Sequence, residues 1–333
     1  MAPKFKLGID ASFMMEFDPR YTLKYPIMAE KTGFDHLWMG DHYLPWQASF
    51  QESFFVWELL AVVASKTKKI KLGPDVTVPI GARYHPAIIA QAVGTLERMF
   101  PGRFVLGVGS GEALNESWFW GHWPKWSERM DRLIEGVELI KRLWAEDDYF
   151  RFDGKYFKMG VTKLYVKPKK AVPIYMSATG RKSAYRAGRH ADRLISSGNP
   201  QAMQEVVFPN FDRGARAVGR DPSKMEKAVL MDMATGSEDK ILARIKRLAA
   251  GSTIPEMFNE GDPRVIERAG SKLPKEHLLK NIVLFKKPDQ VIEAVDTFRK
   301  LGATQVIISE MSVEPDFAMK VYSKVCEYFK QEA

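Results

Sequence analysis

An acid, an imidazole and an indole stand close together in Asp41-His42-Tyr43-Leu44-Pro45-Trp46, directly after an apolar, strand-forming run. His42, whose ordinary pKa lies near neutrality, can take or deliver a proton, and Trp46 can wall a site and donate its indole N–H to a substrate oxygen. Taken alone, an acid beside an imidazole after a strand is equally an ordinary turn. A second stretch, Val108-Gly109-Ser110-Gly111-Glu112-Ala113-Leu114-Asn115-Glu116, places glycines that let backbone approach a flat ring or an anion, with Glu112 beside them. It is not a dinucleotide fingerprint, because the third glycine of Gly-x-Gly-x-x-Gly is missing and no first βαβ unit begins there. Leu72-Gly73-Pro74-Asp75-Val76-Thr77 ends a third strand pattern. Met176-Ser177-Ala178-Thr179-Gly180-Arg181 puts small residues and a helix N-terminus at a strand's end, which is either a phosphate cradle of backbone N–H groups or a plain βα turn.

Positioning these stretches requires a frame. Apolar, β-rich runs recur at Phe5–Asp10, His36–Gly40, Ile70–Pro74, Phe104–Gly109, Ile174–Ser177, Leu194–Ser197, Ala228–Met233 and Gln305–Ser309. Between them lie amphipathic patterns at Tyr21–Thr32, Trp57–Thr67, Ala87–Phe100, Ser127–Trp144, Lys182–Arg189, Gln201–Val218, Asp239–Ala249, Pro288–Leu301 and Pro315–Phe329. Strand and helix alternating in this way predict an α/β fold, a (β/α)8 TIM barrel over residues 1–333 as one domain. Two stretches break the rhythm and read as insertions: 147–173, with a hairpin signal around Asp153-Gly154, and 251–281, interrupted by Gly and Pro in the manner of a lid. Barrels build active sites at the C-terminal ends of their strands, where all four stretches fall.

Composition narrows the function classes. The 333 residues are 45% hydrophobic and 27% charged, enough for a large core. The net charge of +9 is scattered, and clusters such as Lys66-Thr67-Lys68-Lys69 and Lys167-Pro168-Lys169-Lys170 read as solvated turns, so neither a nucleic-acid partner nor a membrane surface is expected. No uncharged apolar run approaches the roughly 18 residues of a membrane span. The lone Cys326 cannot close an intrachain disulfide, no Cys/His cluster has metal-ligand spacing, and no metal is expected. The first residues read as a strand and not a signal peptide, so a cytoplasmic location is expected. A Lys-rich, nearly Cys-free composition is compatible with a thermophilic archaeon.

Four motifs in order, Asp41-His42-x-x-Pro45-Trp46, Tyr84-His85-Pro86-Ala87, Phe100-Pro101-Gly102-Arg103 and Gly111-Glu112-Ala113-Leu114-Asn115-Glu116, resemble the F420-dependent branch of the bacterial-luciferase-like superfamily. The likeness runs from Leu7-Gly8 to the last strand. It is closest to the F420-dependent secondary alcohol dehydrogenases and glucose-6-phosphate dehydrogenases, with methylenetetrahydromethanopterin reductase a more distant relative. The resemblance implies a luciferase-like barrel, coenzyme F420, a small-molecule substrate and a homodimer. His42 then matches the active-site base, Trp46 the residue steadying the reacting oxygen, and Glu112 the acid serving the deazaflavin N1. Asp41 falls near the ring, and Asp75-Val76 where the family carries a non-prolyl cis peptide. Ser177, Ala178, Thr179 and Gly180 match the loop around the coenzyme phosphate, with Ser110, Gly111 and Ser197 completing the cofactor set. Phe13, Met15, Trp118 and Met257 are expected to line the substrate pocket, although core or subunit packing explains such residues as readily.

The departures are informative. A glutamate after the family's first strand aligns with Met14 or Met15, and is either absent or displaced to Glu16. The basic residues that hold the sugar phosphate fall near Asn199-Pro200, at Met257 and at Asn281, none of which carries charge. The expected reaction is hydride transfer between an alcohol, or its carbonyl, and F420, with glucose-6-phosphate disfavoured. Alternatives are reduction of a pterin-bound one-carbon unit, an FMN-dependent luciferase-like monooxygenase, and a barrel that binds coenzyme without catalysis.

Overall fold

The computed structural model describes residues 3–12, 20–49, 52–245, 254–280 and 282–332. Strands covered on both faces need nearly continuous apolar runs, and the chain supplies them. They are β1 (Lys6–Asp10), β2 (His36–Met39), β3 (Lys71–Pro74) and β4 (Leu106–Val108), followed by the hairpin β5 (Phe150–Asp153) and β6 (Lys158–Thr162). Then come β7 (Ile174–Ser177), β8 (Arg193–Ser197), β9 (Lys227–Ala234), the short β10 (Val283–Leu284) and β11 (Gln305–Glu310). Eight of them hydrogen-bond in the parallel order β3-β2-β1-β11-β9-β8-β7-β4. Bridges between Leu72 and Phe104 and between Thr77 and Val108 join the two edges and close the ring. The protein is a (β/α)8 barrel, as the strand rhythm predicts.

The wall consists of α1 (Tyr21–Thr32), α2 (Val56–Lys66), α3 (Pro86–Met99), α4 (Ala113–Trp120), α5 (Trp126–Ala145), α6 (Arg181–His190), α7 (Phe208–Arg216), α8 (Glu238–Ile245), α9 (Pro263–Ser271), α10 (Lys275–Leu279), α11 (Pro288–Lys300) and α12 (Pro315–Gln331). Proline opens α3, α9, α11 and α12, where its missing N–H has no helical partner to lose. Helix α5 shows how the wall packs. Met130, Leu133, Val137 and Ile140, three or four apart, form its buried stripe. Gly136 lets it close on the Pro79 carbonyl, which a Cβ there would meet at 2.4 Å.

Inside the ring, Trp38, Val105, Tyr175, Ile195, Ala228 and Ile307 form a separate apolar cluster that plugs the middle. Room for the Trp38 indole comes from Gly73 and Gly107, where a Cβ would lie 3.4 and 3.3 Å from its ring. The plug divides the barrel into two mouths.

Three elements differ from expectation. Helix α4, which follows the glycines of the Gly109–Glu116 motif, is absent from the expected helices because eight residues give too little periodicity to see. The expected helix Gln201–Val218 is interrupted by a π-helical stretch, Met203–Val207, followed closely by Pro209, which has no N–H for the carbonyl four residues back. The expected Asp239–Ala249 helix is described as Glu238–Ile245, its remainder lying outside the described residues. The stretch 147–173 contains the expected hairpin. The described part of 251–281 comprises a 3-10 turn, Pro255–Asn259, then α9 and α10.

Candidate active site

The C-terminal ends of the strands open on a cavity of about 340 Å³. Asp41 and His42 enter it after β2, Asp75 and Val76 after β3, and Gly109 to Glu112 after β4. Ser177, Ala178 and Thr179 follow β7, Ser197 ends β8, and Phe258 comes from the 3-10 turn. Asp75-Val76 is a cis peptide. Gly109 makes this approach possible, since a Cβ there would lie 2.5 Å from Val76 Cγ2. Gly111, at φ +80°, takes a backbone conformation that side chains disfavour, and Glu116 and Val78 crowd the place a Cβ would fill.

Burial reverses the ordinary order of proton affinity between two groups that line this cavity. The pKa of His42 falls to about 4 because burial and the nearby Arg83 guanidinium both disfavour its charged form, against an opposing backbone hydrogen bond to Leu44. Its imidazole is therefore neutral at physiological pH, and Nδ1 has no partner. Glu112 moves the other way, pushed up to about 7 by burial, and its Oε2 also lacks a partner. Trp46 does not line the cavity itself; its ring lies 5.6 Å from that of His42, tilted, and meets Phe258 edge-on at 6.1 Å.

A buried polar frame holds these groups. Arg83 donates to the Asp41 carbonyl at 2.6 Å, reaches Asp41 Oδ1 at 3.0 Å, and lies 3.9 Å from Glu116 Oε1. The Tyr84 hydroxyl donates to Asp41 at 3.0 Å. Burial nonetheless raises the Asp41 pKa, outweighing the Arg83 charge. Glu116, pushed up to about 8 by burial, accepts the Glu112 N–H at 2.8 Å, and Asn115 accepts the Tyr43 N–H at the same distance. Beneath, Asp75 is raised by burial and by the charges of Asp10 and Glu112, and its Oδ2 is unpartnered. Asp10 and Asp232 are each raised to about 6, mainly by burial. Carboxyls from β1, β3, β9 and the β4 loop thus converge at one end of the barrel. Among the described residues no group of His, Cys, Asp and Glu is set to hold a metal ion.

The expected site residues distribute unevenly. Asp41, His42, Asp75, Val76, Ser110, Gly111, Glu112, Ser177, Ala178, Thr179 and Ser197 share the cavity, whereas Gly180 stands just beyond it as the cap of α6, its N–H received by Ser183 Oγ. Trp118 is corrected: it is 55% exposed, donates its indole N–H to Gly261, and lies outside the lining. Met257 is corrected too, packing with Leu114, Ile266 and Trp46 while its neighbour Phe258 faces the cavity. Phe13, Met15, Glu16 and Asn281 lie outside the described residues. Sequence reasoning missed Arg83, Asp10, Asp232 and Arg129. Arg83 sits beside the Tyr84-His85-Pro86 motif, and Asp10 and Asp232 are acids near strand ends, which was the available signal. Arg129 is the one cation on the lining among the described residues, tied by Nε and Nη1 to the Ser110 and Pro124 carbonyls. Trp126 borders both this cavity and a second one of about 390 Å³ that is walled by Arg181, Lys182, Arg186 and Arg213.

Known proteins share this architecture. The luciferase-like monooxygenase family matches residues 6–305. An F420-dependent glucose-6-phosphate dehydrogenase of Segniliparus rotundus is 33% identical over 312 residues, covering 92% of each chain. A solved F420-dependent secondary alcohol dehydrogenase, in complex with an F420-acetone adduct, is also 33% identical, superposes with a TM-score of 0.91, and is matched over 97% of this chain and 98% of its own. A coenzyme F420-dependent tetrahydromethanopterin reductase from Methanopyrus kandleri, at 21% identity and a TM-score of 0.74 over 98% of this chain and 99% of its own, shares the fold.

Proposed function

The chain belongs to the luciferase-like monooxygenase family, and within it we propose that it is an F420-dependent oxidoreductase interconverting an uncharged alcohol and its carbonyl. The residues present fit the coenzyme. Val76 against Gly109 offers an apolar surface to a flat ring, and the unpartnered carboxyl oxygens of Glu112 and Asp75 face groups that need hydrogen bonds. The Ser177–Thr179 turn ahead of α6 suits a phosphate, and the Arg181, Lys182, Arg186 and Arg213 cavity beyond Trp126 suits an acidic tail. When bound, F420 supplies the hydride chemistry.

The protein's share is proton handling and positioning. The observation that carries the reading is that His42, its pKa pushed down to about 4, and Glu112, its pKa pushed up to about 7, line one cavity and each keep an unpartnered buried polar atom. His42 takes the hydroxyl proton of the alcohol during oxidation and returns it during reduction. Glu112, titrating near neutrality, stores or releases the accompanying proton. Arg83 holds the backbone of Asp41, and through it the direction of His42. Phe258, with Trp46 packed behind it, restricts the substrate's apolar part and keeps water away. Against a sugar phosphate stands the lining itself, whose one cation among the described residues is already held by two carbonyls. The positions expected to lack phosphate ligands, Asn199 and Met257, are uncharged.

The test mixes purified protein with oxidised F420 and a panel of secondary alcohols, glucose-6-phosphate and methyl-tetrahydromethanopterin, following loss of the coenzyme's visible absorbance. Bleaching by an alcohol is expected. Bleaching by glucose-6-phosphate alone would replace the substrate class, and by the pterin alone would move the protein to one-carbon chemistry.

A further inference from the structure

At the opposite mouth, below the Trp38 plug, lies a cavity of about 630 Å³. Three strands begin there with cations, Lys6 on β1, Lys71 on β3 and Arg193 on β8, while β2 begins with His36. Lys69, Lys170 and Lys330 complete a ring of six positive side chains contributed by five segments, Lys69 and Lys71 sharing one. Only two acids share the lining, and both are engaged with backbone. Glu30 accepts the N–H groups of Lys68, Lys69 and Ile70, and Asp35 accepts that of Leu7. Glu226 divides one negative charge between Lys6, at 2.7 Å, and Arg193, at 2.9 Å. Glu97, near Lys71, accepts the Gly102 N–H. Lys69, Lys170 and Lys330 make no ion pair with a described residue, so positive charge remains in excess.

Two further features suit an anionic ligand. His36 is 3% exposed, stands on this wall, and its Nδ1 has no hydrogen-bond partner. Its pKa is held well below the ordinary value by burial and then by Lys6, Arg193 and Lys71, and that of Lys71 is lowered by burial, with Arg103, Lys170 and Lys6 adding to the effect against Glu97. The cations of this mouth therefore repel one another, and Glu226 and Glu97 offset only part of their charge.

We propose that this mouth is a second ligand site that binds a phosphate group, either inorganic phosphate or the phosphate of a small ester. A tetrahedral oxyanion presents acceptors on several sides at once and so matches donors converging from several strand starts better than a planar carboxylate does, and its higher charge answers more of the excess cations than a single halide would. The volume admits more than one phosphate-sized group. The site is separate from the redox cavity and stands whether or not the substrate assigned above is correct.

The experiment measures thermal unfolding of the intact protein at constant ionic strength in chloride, inorganic phosphate, pyrophosphate and glycerol phosphate. It compares the native chain with Lys69→Gln/Lys170→Gln/Lys330→Gln and with Lys330→Gln alone. Phosphate at tenfold its Kd is expected to raise Tm by about 2 °C over chloride, the scale set by ligand linkage for a chain of this size. The triple variant loses that rise while its F420 binding, read by coenzyme fluorescence, is unchanged. A response to inorganic phosphate without the ester assigns the free ion, and the reverse assigns the ester. An equal rise in chloride, or a phosphate rise surviving in the triple variant, overturns the proposal.

Discussion

The two mouths of the barrel are built from the same strands with opposite charge. β1 runs from Lys6 to Asp10, β3 starts at Lys71 and leads into Asp75, β9 starts at Lys227 and carries Asp232, and β11 runs from Gln305 to Glu310. At the upper mouth, burial pushes the Glu112 carboxyl up until it titrates near neutral pH and pushes the His42 imidazole down so that it stays neutral there. At the lower mouth burial and the neighbouring cations push the pKa of His36 well down, and burial lowers that of Lys71. Burial of polar groups alone does not make a reactive site; the sign of the groups buried decides whether protons or anions are handled there.

The largest expected effect separates the two imidazoles. His42→Ala should lower kcat by about 10²–10⁴-fold, the usual range for a general base, with Tm little changed. His36→Ala should leave kcat within about twofold by the same logic, measured by steady-state coenzyme bleaching. Equal losses would erase the distinction between the mouths.

Next comes stability. Arg83→Met strands Asp41 and Glu116 without their cation and should cost about 3–5 kcal/mol in urea unfolding, as breaking a buried pair does. Lys6→Met leaves Glu226 still paired with Arg193 and should cost about 1 kcal/mol or less.

Acidity gives a smaller, signed effect. Glu112 holds its proton more tightly folded, at about 7 against an ordinary 4.5, so its contribution to stability is full below pH 4.5 and is lost as pH rises through 7. Glu112→Gln should remove that decline, seen by unfolding at pH 5.5 and pH 8. His42 has the opposite sign, its contribution present above 6.5 and lost as pH falls through 4. The smallest effect belongs to Trp118→Phe, expected to stay within about 0.5 kcal/mol and twofold in kcat, because an exposed indole with one carbonyl partner touches neither mouth.

Much of the upper mouth was legible beforehand. Strand starts and ends follow from apolar runs, and Asp41, His42 and Glu112 stand at positions where barrels place chemistry. What stayed hidden depends on side-chain direction. Met257 and Phe258 are adjacent and both apolar, and only the 3-10 turn decides which faces the cavity. Arg83 precedes a recognisable motif, yet its pairing across the chain with Asp41 has no local pattern. Trp118 lies on a helix too short to show an inner face. In the sequence the lysines around Lys69 and Lys170 read as solvated turns, because the convergence of strand starts appears only once the ring closes. The archaeal origin suggested by composition finds no support among the sequence relatives, which are bacterial.

The most direct test of the central claim is a crystal structure of the protein with oxidised F420. The account predicts the deazaflavin in the upper cavity, in contact with Val76 and Glu112, its phosphate at Ser177–Thr179. A ring bound anywhere else, the lysine-ringed mouth included, would contradict it.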